Sequence, residues 1–125
     1  MTRMSLGENS KLTAHPAERE RVRKFHKEVF GWPATRESER IDIFRIGTNF
    51  LGVVYDDSAL SATDGLKSIW WDILTPEPEV LKVKILGFGI KEIQFWDKEH
   101  FYFQAPGGQV FRLVDVNEDM SKWRR

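Results

Sequence analysis

Chemistry-bearing side chains are scarce in this chain. It has 125 residues, with three histidines (His15, His26, His100) and no cysteine. A thiolate nucleophile, a thiolate metal site and a disulfide are therefore excluded, and any metal site must draw on carboxylates as well as imidazole. Asp72 is the one carboxylate whose strand parity points it toward a cleft. A metal site built from His15, His100 and Asp72 is conceivable, and Asp72 or His100 is the candidate general base. The simpler reading makes both histidines strand-end surface residues: His15 precedes Pro16 at a helix start, and His100 follows the charged turn Asp97-Lys98-Glu99. His26 lies beside an apolar helical stripe and reads as structural.

Two cations share the cleft-facing parity. In Val110-Phe111-Arg112-Leu113-Val114, Arg112 is the single charge in an alternating strand, and Lys11 holds the matching place in Lys11-Leu12-Thr13-Ala14-His15. Together they could hold an anionic group, Arg112 through its planar fork and Lys11 as a point charge. Alternatively each reaches water or pairs with Asp72, because an unpaired buried cation is costly. Thr13 has the parity of Lys11. Trp70 shares that of Ser68 and Asp72, so Trp70 and Tyr102 could wall a planar or cationic ligand, or fill an interface. Gly52 either leaves room for a guest or marks a bulge.

The elements that must position these residues follow a repeated order. A short strand at Lys11–His15 leads through Pro16 into a helix whose stripe is Val22, Phe25, Val29 and Phe30, stopped by Gly31. Strands then come at 34–36, 41–46 and 50–55, and a polar loop spans 56–65. The sequence restarts with a strand at 68–74 and a helix entered at Thr75-Pro76 and closed by Gly87 and Gly89. Strands at 90–96, 101–104 and 109–114 complete it, and 117–123 is a short terminal helix. Pro106-Gly107-Gly108 is the tight turn between the last two strands. Phe30-Gly31-Trp32 and Leu86-Gly87-Phe88 mark corresponding places. This reads as a duplicated module: module one about 10–57, module two about 66–115, tail 116–125, all within a single domain 1–125.

Equal numbers of acidic and basic residues, 19 each, remove the electrostatic case for nucleic acid or an anionic membrane surface. No apolar run approaches the ~20 residues that span a bilayer, and the first ten residues lack the apolar core of a signal peptide. A cysteine-free chain of this kind suits the reducing cytoplasm.

Arg23-Lys24-Phe25-His26-Lys27-Glu28-Val29-Phe30-Gly31-Trp32 is similar to the "rrFYrdvLGf" motif of the vicinal oxygen chelate superfamily. Phe103-Gln104-Ala105-Pro106-Gly107-Gly108-Gln109-Val110-Phe111-Arg112-Leu113 resembles its "f.DPDGn.iEl". That superfamily includes glyoxalases, extradiol dioxygenases, fosfomycin-modifying enzymes and bleomycin-resistance proteins. The resemblance covers most of residues 10–115 and implies an α+β fold: two tandem βαβββ modules forming a half-open curved, barrel-like sheet with helices on the outside. It also implies four metal-ligand positions, which fall on Lys11, Gly52, Ser68 and Arg112. None offers imidazole or carboxylate, so the enzymes' route through a Lewis-acid metal is not expected, and no cofactor is.

The leading expectation is a small-molecule binding protein of the bleomycin-resistance type, working as a homodimer. Its ligand would meet Lys11, Thr13, Gly52, Ser68, Trp70, Asp72, Tyr102 and Arg112. A lyase or dioxygenase with a displaced site is the alternative, and an interaction domain whose cleft is filled by its own side chains is a third. Whether the protein is an enzyme stays open at this point.

Overall fold

Parallel strand pairing requires a crossover, and each half of the chain supplies one through a helix. In the computed structural model, which describes residues 3–124, β1 (Asn9–Ala14) lies parallel to β4 (Asn49–Tyr55). Strand β3 (Ile41–Ile46) is antiparallel to β4, and β2 (Ala34–Glu37) completes the order β1-β4-β3-β2. The second half repeats this with β5 (Trp70–Thr75), β8 (Val110–Asp115), β7 (Phe101–Gln104) and β6 (Glu92–Ile93), in the order β5-β8-β7-β6. The architecture is thus the expected α+β pair of tandem βαβββ modules with open sheets. Strands β1 and β5 are both edges.

Pro16 opens the first crossover, with the Ala17 amide donating to His15 Nδ1 at 3.1 Å. Helix α1 (Arg19–Lys24) then widens into a π turn, Phe25–Val29, and the chain leaves at Gly31 with φ +69°. A four-residue helix, α2 (Ala62–Gly65), interrupts the linker expected to be irregular, capped by Ser61 Oγ accepting from the Asp64 amide. Helix α3 (Pro78–Phe88) runs through Gly87 and ends at Gly89, φ +105°. The repeat marks therefore differ from the sequence reading, since Gly31 corresponds in conformation to Gly89. The strand expected at 90–96 shrinks to β6, and the terminal helix is a 3-10 turn at Ser121–Arg124.

Alternation sends Leu12, Ala14, Phe44, Leu51 and Val53 to the helix side of sheet one, where they pack with Val22. On sheet two, Phe101, Phe103, Phe111 and Leu113 pack with Ile85 and, from module one, Phe25 and Val29. The first helix therefore serves both cores. Phe30 stands edge-on to Phe111 at 5.7 Å, and Trp32 touches both clusters. The turn at Gly107 seals the junction, for a β-carbon there would lie 3.0 Å from Val22 Cγ2.

Candidate functional site

Strand register alone assembles the polar cluster on module two. Arg112 pairs with Asp72 across the parallel ladder and with Tyr102 across the antiparallel one. On the side turned away from the helices, the Arg112 fork donates to Asp72 through Nε at 2.7 Å and Nη2 at 2.9 Å. Two residues along β5, Trp70 covers the guanidinium at 4.5 Å from its ring centre. Arg112 also donates to the Tyr102 hydroxyl at 3.4 Å, and that hydroxyl donates to Asp97 at 3.0 Å. His100 continues the chain, with Nδ1 2.8 Å from Asp97 and Nε2 2.9 Å from the Glu118 carboxylate.

Four of the residues singled out from the sequence, Trp70, Asp72, Tyr102 and Arg112, are thus in mutual contact. The reading in which Arg112 pairs with Asp72 is the one realised. His100 is corrected: it is buried between two carboxylates, with Trp123 edge-on at 5.5 Å, and is not a strand-end surface residue. Asp97, expected in a solvated turn, is 4% exposed. Glu118 joins the cluster only through a contact distant in sequence, and Asp97, though three residues from His100, is disguised by its charged neighbours Lys98 and Glu99.

The electrostatics follow from that wiring. Hydrogen bonds to Asp72 lead in raising the Arg112 pKa, outweighing burial. Burial and the Asp97 carboxylate raise the Tyr102 phenol. Burial would raise Asp97 too, but the Glu99 amide, His100 and Tyr102 hold it below the usual carboxylate range. The cluster is internally satisfied, and its one guanidinium is already occupied.

Module one presents a simpler surface. Lys11 pairs in register with Gly52, and its Nζ donates to Thr13 Oγ1 at 2.8 Å. Register runs unbroken through Gly52, so it marks no bulge, and an added β-carbon would make only ordinary contacts at 3.6 and 3.8 Å. Lys11, Thr13 and Gly52 lie together, but apart from the Arg112 cluster, because each group sits on the face of its own sheet turned from the helix layer. Ser68 precedes β5 and is exposed, contrary to the strand expected from 68. As Lys11 is to Gly52 in module one, so Asp72 is to Arg112 in module two.

A divalent metal does not fit these positions. Lys11, Gly52, Ser68 and Arg112 offer no carboxylate or imidazole, and Asp72, the register partner of Arg112, is engaged by its guanidinium. Among the described residues no group of three His, Asp or Glu is disposed to hold a metal ion. The pairing of His15, His100 and Asp72 is not formed; His15 instead lies 3.3 Å from Asp57.

Between the edges β1 and β5 runs a trough of two adjoining cavities. The larger, about 620 Å³, is walled by Trp32, Phe50, Trp71 and Phe111 with Asp72 and Gln109 at its polar side. The smaller, about 560 Å³, meets Lys11, Thr13 and Ser68 and shares Trp71 and Gln109 with its neighbour. The Gln109 amide donates to the Ile69 and Val110 carbonyls at 2.9 Å, which ties the trough's wall to β5 and β8. Trp32 and Gln109 were not singled out from the sequence as site residues; only the proximity of the two edges brings them here.

The chain has the vicinal oxygen chelate fold. A glyoxalase family protein from Bacillus anthracis superposes with a TM-score of 0.72 at 17% identity, covering 92% of this chain and 98% of that one. The fosfomycin resistance protein FosX from Listeria monocytogenes gives 0.73 at 15% identity over 98% of this chain and 100% of its own. Lactoylglutathione lyase from Agrobacterium tumefaciens gives 0.65 at 14% over 90% and 95%. No sequence-family model matches the chain, and no curated protein matches it by sequence.

Proposed function

We propose that this protein binds a small organic molecule in the trough between its modules, in the manner of a bleomycin-resistance protein, without a metal. The observation that carries the reading is the trough itself: concave, aromatic-walled, and meeting Lys11, Thr13, Ser68 and Asp72. Cavities of a few hundred Å³ with sparse polar groups are where small ligands bind. Enclosure requires no Lewis acid, so it is compatible with the cations and glycine at the chelating positions. A lyase or dioxygenase would need another set of donors. Asp97, His100 and Glu118 are spent on one another.

A homodimer in the cytoplasm is part of the proposal. Strand β5 is an unpaired edge, and its Trp70, which lines neither cavity, is 37% exposed. Uncovered edges and apolar patches of this kind are normally covered by a partner. No described helix is long and apolar enough to cross a membrane.

The test is metal analysis of tag-free protein with thermal shifts against nickel, zinc, manganese and iron(II), run beside a set of aromatic compounds. Substoichiometric metal, no metal-induced shift and stabilisation by organic compounds are expected. A retained stoichiometric metal that stabilises the fold overturns the proposal in favour of an enzyme. Light scattering across concentrations reads the dimer, and a strict monomer at high concentration removes it.

A further inference from the structure

The larger cavity has a charge signature that its smaller neighbour lacks. Its only charged lining residues are Glu8 and Asp72; among the described residues that line it, none is Lys, Arg or His. The hydrogen-bonding groups around it, Asn9, Asn49 and Gln109, are neutral. An anionic guest there would lose water, meet no cation and face the Glu8 carboxylate, since the Asp72 carboxylate is held by Arg112 on the other face of the sheet. The indoles of Trp32 and Trp71, with Phe50 and Phe111, instead offer flat apolar walls suited to ring stacking.

From this we infer that the larger cavity takes planar, uncharged aromatic molecules and excludes anionic ones, including phosphonates and carboxylates. The inference rests on the trough being the ligand site, and it names the ligand class for that site. The selecting residues are Trp71 on the exposed edge and Glu8; Asp72 borders the cavity, but its carboxylate is turned with Arg112 to the other face of sheet two. The buried Arg112, the obvious anion receptor from sequence, faces the other side of sheet two and already holds Asp72. Recognition by rings rather than by charge follows from that placement.

Two naphthalene probes of nearly the same skeleton test it: uncharged N-phenyl-1-naphthylamine and anionic 8-anilinonaphthalene-1-sulfonate. Each is titrated into the intact protein while probe and tryptophan fluorescence are followed. The uncharged probe is expected to bind on the order of tenfold tighter than the sulfonate. Trp71→Ala should weaken it about tenfold. Ser10→Trp, on the exposed edge β1 where it lines both cavities, should block it by filling the trough. Trp96→Ala, 71% exposed and away from both cavities, should leave binding unchanged. Equal or tighter binding of the sulfonate, still lost in Ser10→Trp, overturns the ligand class and leaves the trough as the site. Binding of neither probe, or binding indifferent to both trough variants, overturns the site as well. Binding that weakens as protein concentration rises assigns the trough to a second copy of the chain and likewise overturns the inference.

Discussion

His26 is buried to 1% exposure, stacked on Phe44 at 4.7 Å. Its Nδ1 lies 2.6 Å from the Val22 carbonyl, an acceptor, so this nitrogen carries the proton and Nε2 is left without a partner. Burial pushes its pKa down to about 4 from an ordinary 6.5, against the smaller opposing pull of the Val22 carbonyl. A depressed histidine leaves stability untouched above the unfolded value. As pH falls from 6.5 toward 4 the unfolded chain takes up the proton first, and about 3 kcal/mol is lost across that window. Urea denaturation at stepped pH should show this slope, and His26→Leu should remove most of it; a slope that survives the substitution assigns it to another group. Asp42 and Asp97, held below the ordinary carboxylate range, add losses only at more acid pH. Arg112 allows a second measurement. Arg112→Leu strands Asp72 and weakens the support of Tyr102, and should cost about 3 kcal/mol. Combined with Asp72→Leu, the double variant should recover about 1 kcal/mol or more of the summed losses, by the coupling expected of contacting charges. Strict additivity would mean that the pair contributes no coupling.

The turn between β7 and β8 shows how an element's geometry reaches beyond itself. Gly107 has φ +92° and points its missing side chain at Val22 Cγ2 and Ala14 Cβ, 3.0 and 3.3 Å from where a β-carbon would sit. Gly47, at φ +59°, has nothing within 4 Å. Gly47→Ala should therefore cost about 1 kcal/mol, the backbone term alone. Gly107→Ala should cost about 2 kcal/mol or more, because strain and overpacking add. Equal values in denaturant titration would show that the junction yields. Local pattern was legible for such elements: alternation placed the inner and outer faces of β1, β4, β5 and β8, and Pro16 and Gly31 bounded the first helix. Legibility ended where position depends on distant chain. Ser68 falls before β5, which begins at Trp70, and it is the ladder that sets Asp72 opposite Arg112. The charged turn Asp97-Lys98-Glu99 reads from sequence as surface, and only the fold shows Asp97 and His100 turned inward against Tyr102 and Glu118.

Duplication suggests two independent halves, yet the packing makes them one. Phe25, on the first helix and fully buried, lies 5.2 Å from Phe88 and 6.2 Å from Phe103, both in module two. Val29 joins the same cluster, and Phe30 meets Phe103 and Phe111. Sheet two thus completes its core with side chains encoded before residue 31, while sheet one keeps Val22 from the same helix. Truncating a buried phenylalanine to alanine costs roughly 3–5 kcal/mol in transfer and cavity terms. For Phe25→Ala that loss falls on the contact joining both cores, so unfolding should remain a single transition shifted to lower denaturant. A fragment spanning 66–124, deprived of Phe25, Val29 and Phe30, should show no cooperative transition and little near-ultraviolet circular dichroism. Two resolved transitions in Phe25→Ala, or a cooperatively folded fragment, would mean that each half carries a sufficient core. The trough would then be a cleft between two hinged bodies instead of a fixed feature of one.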